Sequence, residues 1–217
     1  MRELKRRRII RIGDIVVFEK GYYSYDNYVQ GIFEFNIVPL IFSKGELPFL
    51  KKRLKPRVGF VGYAASPIRA LLSRLFHLVV KKPCEKGDVS TVQHRAMKCL
   101  KRTSDIACNF ILRSTFWGTL QNTPTRAEQR NEFIQNIEEN DYILCARGGG
   151  NFSFRFYETL CSGRIPLFIN TDCVLPFENK IDWKKYVVWV EEEDIGHIDA
   201  ILRSFHECLD DREYQLR

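Results

Sequence analysis

No two of the seven cysteines in this 217-residue chain stand at C-x-x-C spacing, and their number is odd. They are Cys84, Cys99, Cys108, Cys145, Cys161, Cys173 and Cys208. That pattern disfavours a zinc site and a closed disulfide framework, and points to buried free thiols in a reducing compartment. No apolar run reaches the roughly 18 residues that a spanning helix requires, so none is expected. The charged N-terminus is not followed by a continuous apolar stretch, which argues against a secretory signal. Together these absences give a cytosolic protein as the expectation. The chain also lacks G-x-G-x-x-G and the P-loop Lys-Ser/Thr, which disfavours a dehydrogenase or kinase. There is no Asp-x-Asp pair, no internal repeat and no low-complexity segment.

What is present is a core-forming composition, 45% hydrophobic with 16 Phe, 9 Tyr and 3 Trp. The net charge of +7 is unevenly placed. Residues 1–57 hold 13 Lys and Arg against 6 Asp and Glu, and the remainder holds 21 of each. Lys5, Arg6, Arg7 and Arg8 form the densest cluster. Such a cluster can touch acidic lipid headgroups, or it can be a solvated terminus. No basic stripe continues through the chain, so nucleic acid is not an expected partner.

Short β-rich runs occur at residues 14–18 and 36–42. The basic, Pro-ended stretch 51–56 reads as a connector between an N-terminal lobe, 1–55, and a second domain, 56–217. From there strands and helices alternate. Arg57–Gly62 is a buried strand, Pro67–Val80 an amphipathic helix, 89–102 a helix and 107–113 a strand. Residues 125–139 form a helix with Thr125 and Glu128 in capping-box spacing. Then come a strand at 142–146, a helix at 153–161, a strand at 165–169, a strand at 185–190 and a closing helix at 198–209. This alternation predicts an α/β fold with a doubly wound parallel sheet.

The chemistry concentrates at Cys145-Ala146-Arg147-Gly148-Gly149-Gly150-Asn151-Phe152-Ser153-Phe154-Arg155-Phe156-Tyr157-Glu158, a strand, three glycines and a helix. Glycines let backbone N–H groups crowd an anion, and the helix start adds further unpaired donors. Arg147 and Arg155 flank the loop, and two guanidinium forks there suit a diphosphate. Glu158 shares a helix face with Arg155 and can accept from ribose hydroxyls. The plainer alternative is an ordinary glycine turn beside a surface ion pair. The acidic run Glu191-Glu192-Glu193-Asp194 reads as a solvated loop in preference to a cation site.

Arg147-Gly148, Ser153-Phe154-Arg155-Phe156, Glu158, Gly163-Arg164-Ile165-Pro166, Leu175-Pro176-Phe177 and Ile181-Asp182-Trp183 occur in an order and spacing that resemble the exostosin glycosyltransferases. Phe60-Val61-Gly62, Arg69, Phe116-Trp117-Gly118, Arg130 and Phe133 resemble the same half more loosely. The resemblance covers about residues 56–210. It implies a GT-B-like protein with a Rossmann-like domain that holds a nucleotide sugar, a UDP- or GDP-sugar, and a reduced acceptor-side lobe. It further implies transfer to a glycan or glycoconjugate with inversion and without a metal or other cofactor. Donor-binding residues would be Arg147, Gly148, Gly149, Gly150, Asn151, Ser153, Arg155 and Glu158, with Gly62 and Arg69 from the opening strand and helix. The short first lobe leaves a second reading, a sugar-nucleotide-binding module whose partner chain completes the acceptor site. A general base is not assignable among His77, His94, His197, His206, Asp26 and Glu34.

Overall fold

The apolar run Val58 to Val61 lies inside a parallel sheet, in a strand flanked by a neighbour on each side. The structure is a computed structural model. It describes residues 10–12, 15–18, 21–24, 51–63, 89–113, 126–147, 153–173, 175, 177–178 and 180–216. Three short strands come first: β1 (Ile10–Ile12), β2 (Ile15–Phe18) and β3 (Gly21–Ser24), paired as an antiparallel meander. Of these, only β2 coincides with an expected run. The run at 36–42, the helix at 67–80 and the cluster Lys5, Arg6, Arg7 and Arg8 lie outside the described residues.

The second sheet contains β4 (Arg57–Tyr63), β5 (Ala107–Arg113), β6 (Tyr142–Cys145), β7 (Ile165–Asn170) and β8 (Val188–Glu191). All pair in parallel, in the order β5-β4-β6-β7-β8. Its helices are α1 (Val89–Leu100), α2 (Arg126–Glu139), α3 (Phe154–Cys161) and α4 (Ile198–Cys208), followed by α5 (Asp211–Leu216). The expected doubly wound α/β sheet is therefore present.

Period-2 alternation assigns each strand residue to a face. Val58, Phe60, Tyr142, Leu144, Leu167, Ile169, Val188 and Val190 pack with Val92, Ala96 and Leu100 of α1 and Ile198 and Leu202 of α4. Ile143, Cys145 and Phe168 pack instead with Ile134 and Ile137 of α2 and Phe156 of α3. Burying a side chain of this size contributes about 1.5–3 kcal/mol, so both helix layers are held mainly by apolar area. At Gly59 the α2 layer comes very close. A Cβ there would stand 2.6 Å from Asn136 Oδ1, 2.7 Å from Asn140 Nδ2 and 2.9 Å from Ile143 Cδ1.

The α3 helix stops at Gly163, whose φ of +59° suits a residue without a side chain. Gly163 N donates to Leu160 O at 3.0 Å and Arg164 N to Thr159 O at 3.1 Å. That double closure turns the chain directly into β7. Arg164 is buried and donates to the Glu138, Ser162 and Gly163 carbonyls, so one side chain caps two helix ends.

Two expectations need correcting. The strand expected from Lys185 begins only at Val188. Residues 183–185 form a 3₁₀ turn, and the N–H groups of Tyr186 and Val187 donate to Trp183 O rather than to β7. The acidic run is not a loop: Glu191 ends β8, and Glu192 to Asp194 open a 3₁₀ helix (Glu192–His197). Glu191 accepts from Asn170 Nδ2 at 2.6 Å and Trp189 Nε1 at 2.7 Å.

The connector at 51–56 is irregular but anchored. Lys52 donates to the Leu209 carbonyl, and Arg53 pairs with Asp141, whose side chain is fully buried. Asp141 also accepts from Arg57 N and Tyr214 OH, both at 2.9 Å. His206 bridges Tyr142 OH and the Arg53 carbonyl, which accounts for its burial as a structural histidine. Among the described residues no helix is long and apolar enough to cross a membrane.

Candidate functional site

The sheet changes winding direction between β4 and β6, because β5 lies on the far side of β4. In open α/β sheets the crevice at the carboxyl ends of strands beside such a reversal receives ligands. Three arginines stand at or near the carboxyl ends of β5, β4 and β6. Arg113 ends β5 and pairs in register with Tyr63. Counting on from the register Gly59↔Ile143, Arg147 falls level with Tyr63 just past the end of β6. Arg155, in the first turn of α3, reaches back to the end of β4, where Nη2 donates to Val61 O at 2.6 Å.

The Arg155 guanidinium is packed between aromatic rings. Its Cζ lies 4.4 Å from the Phe60 centroid and 5.6 Å from that of Phe133. A Cβ on Gly62 would stand 3.0 Å from Arg155 Nη2, so the missing side chain gives the guanidinium its room. Burial pulls the Arg155 pKa below the ordinary arginine range. Cys145 and Glu158 oppose that shift, and the positive charge of Arg113 adds to it. The Nε atoms of Arg147 and Arg155 are buried without a hydrogen-bond partner among the described residues. A buried N–H left unpaired is costly, so donors in this state suit an anion that arrives later.

Glu158 follows Arg155 by three residues on α3 and is buried, with 6% exposure. Ser153 takes the helix N-cap position in extended conformation, without a side-chain cap bond. Gly148, Gly149, Gly150, Asn151 and Arg69 lie outside the described residues, as does Thr125 of the capping box. The structure thus brings Gly62 and Arg155 together, and sets Arg147 just past the end of β6, where its charge acts on Cys173. It adds Arg113, Phe60 and Phe133, which sequence reasoning had not placed in the site. The available signal for Arg113 was a cation closing an apolar strand, which becomes informative only when the strand order is known.

Burial pushes the Cys145 thiol up to about 12 against the opposing effects of Arg155 and Thr159. It does the same for Cys173, also to about 12, where Arg147 opposes. Both are protonated, inert thiols at neutral pH. An open depression of about 400 Å³, lined by Glu178, Asp182, Trp183, Lys184 and Trp189 among others, lies on the β7–β8 connection. Among the described residues no group of three or more His, Cys, Asp or Glu side chains is gathered as a metal site.

Residues 92–205 match the family model described as the Exostosin GT47 domain. The chain is 35% identical to Exostosin-1 of Drosophila melanogaster over 92 residues, which are 41% of this chain and 12% of that protein. It is 33% identical over 95 residues to a probable glucuronosyltransferase of Oryza sativa subsp. japonica, covering 42% of this chain and 22% of the relative. A probable beta-1,4-xylosyltransferase of Arabidopsis thaliana is 30% identical over 95 residues, 42% of this chain and 23% of the relative. The chain therefore spans less than a quarter of the length of these relatives.

Proposed function

The chain belongs to the exostosin GT47 family, and on that footing we propose that it transfers a sugar from a nucleotide-sugar donor to a glycan or glycoconjugate acceptor. Its parallel sheet is the Rossmann-like, GT-B-like half that the family implies. The observation that carries the reading is the position of Arg147 and Arg155 at the carboxyl ends of β6 and β4, each with a buried Nε that has no hydrogen-bond partner among the described residues.

The chemistry follows from charge. When the bond between the anomeric carbon and the diphosphate breaks, negative charge accumulates on the leaving phosphate oxygens. Guanidinium groups already fixed at that position stabilise the charge without having to reorganise. Phe60 and Phe133 hold the Arg155 plane in place and keep water from its faces. In this proposal Glu158 orients the donor through its ribose hydroxyls. Two fixed cations can do the work that a divalent metal does elsewhere, so the transfer is proposed to be metal-independent. It is proposed to invert the anomeric carbon, which NMR of the product would test.

The test is calorimetric titration of the full chain with UDP, GDP and inorganic pyrophosphate. Arg155→Ala should weaken all three by roughly tenfold or more, the loss of one charge-assisted hydrogen bond. Glu158→Ala should weaken the nucleotides and leave pyrophosphate nearly unaffected. Binding of pyrophosphate by Arg155→Ala as tight as that of the parent would overturn the site. The same site serves a binding module whose partner chain supplies the acceptor side. Donor binding without transfer to any of a panel of acceptor glycans would favour that second reading.

A further inference from the structure

We propose that Arg113 is a third anion-binding residue of this cleft, held by Glu132 until a diphosphate takes the carboxylate's place. The inference rests on the donor-site reading above and deepens it. Arg113 stands at the carboxyl end of β5, one strand beyond the β4–β6 crevice, in register with Tyr63. Its Nη2 donates to Gln129 O at 3.0 Å and to Glu132 Oε2 at 2.7 Å, both on α2. Phe133, the next residue of that helix, is one of the two rings against the Arg155 guanidinium. Arg113 and Arg155 thus abut the same turn of α2 from two strand ends. They are close enough that the charge of Arg113 disfavours the charge on Arg155.

Like charges brought this close in a half-buried place repel one another, and a shared anion removes the repulsion. A diphosphate carries more charge than one carboxylate and offers oxygens to several forks at once. The partner that Arg113 holds meanwhile is easily surrendered. The Glu132 side chain is 41% exposed, so water can take over its solvation when the guanidinium turns away. Exposed ion pairs of this kind contribute little to stability, which makes the exchange inexpensive. The Gln129 carbonyl bond can persist throughout and fix the direction of the swing.

The experiment uses the full chain, with inorganic pyrophosphate and UDP as probes in calorimetry and circular dichroism as the check on folding. Arg113→Gln should lower the affinity for both probes by roughly tenfold. Glu132→Gln, which frees the guanidinium, should raise pyrophosphate affinity by roughly twofold to fivefold. The ordinary alternative is a structural staple between β5 and α2. It is established if folded Arg113→Gln binds like the parent, or if Glu132→Gln leaves affinity unchanged or lowers it. Should Arg113→Gln fail to fold, Glu132→Gln decides alone: a rise supports the proposal and anything else overturns it. Arg155→Gln separates the two levels. If it weakens binding and Arg113→Gln does not, only this proposal fails. If the parent binds neither probe, the donor-site reading fails with it.

Discussion

The guanidinium of Arg155 lies over the ring of Phe60, its Cζ 4.4 Å from the ring centroid, while its Nη2 bonds the carbonyl of the very next residue, Val61. Side chain and backbone of one strand end therefore grip a single cation. The ring is 1% exposed, so the contact is made in a dry setting, where a cation–π pair contributes about 2 kcal/mol or more. Phe60→Leu keeps an apolar core residue but removes the π face. It should weaken pyrophosphate binding by roughly threefold to thirtyfold, with a modest fall in urea stability of about 1 kcal/mol. Unchanged affinity in a folded variant would show that the ring only fills space.

The proposed independence of metal rests on the same arginines. On the proposed reading, sugar transfer assayed in EDTA should proceed at the untreated rate, because fixed guanidinium groups would meet the charge on the leaving diphosphate. Loss of activity in EDTA, restored by manganese or magnesium, would contradict this.

Asp141 should matter for stability and not for ligand binding. Its carboxylate accepts from Arg57 N and Tyr214 OH and pairs with Arg53, at the amino end of β6. Breaking a fully buried pair typically costs about 3–5 kcal/mol. Arg53 keeps 36% exposure, so roughly 2–3 kcal/mol is expected for Asp141→Asn. The check is a urea titration run beside calorimetry with pyrophosphate, whose affinity should be unchanged.

Alkaline pH should loosen the fold through two thiols. Cys145 and Cys173 are each raised to about 12 in the folded protein, from a reference of 9.0. The folded state holds them protonated, while the unfolded chain releases those protons near pH 9. Their stabilising contribution is therefore complete below that pH and is lost as pH climbs towards 12. The expected slope is roughly 1.4 kcal/mol per pH unit for each thiol. Cys145→Ala with Cys173→Ala should flatten the fall in urea midpoint between pH 9 and 11 relative to the parent. Parallel curves would refute the assignment.

The parallel sheet was readable because strands covered on both faces appear as unbroken apolar runs, as in Tyr142-Ile143-Leu144-Cys145. β1 and β3 leave no readable signal because three or four residues carry too little pattern, and β8 starts later than its apolar run because local turn bonds capture residues 186 and 187. In the candidate site, the glycines between Arg147 and Arg155 are what single the two residues out in the sequence. Arg113 carries no such mark, since only the strand order puts β5 beside β4. The Arg53–Asp141 pair joins residues 88 apart in sequence, and nothing local marks the connector's charges as anything but solvated.

Gly59 lies within β4, away from the arginines, and its bare backbone makes room for side chains from α2 and β6. With the side-chain ends of Asn136, Asn140 and Ile143 at 2.6–2.9 Å from a would-be Cβ, three side chains fill the space that a side chain here would need. A side chain at position 59 would push those side-chain ends aside, among them the Asn136 amide that donates to Asn109 O on β5. The polar seam between α2 and the sheet thus depends on an atom that is not there.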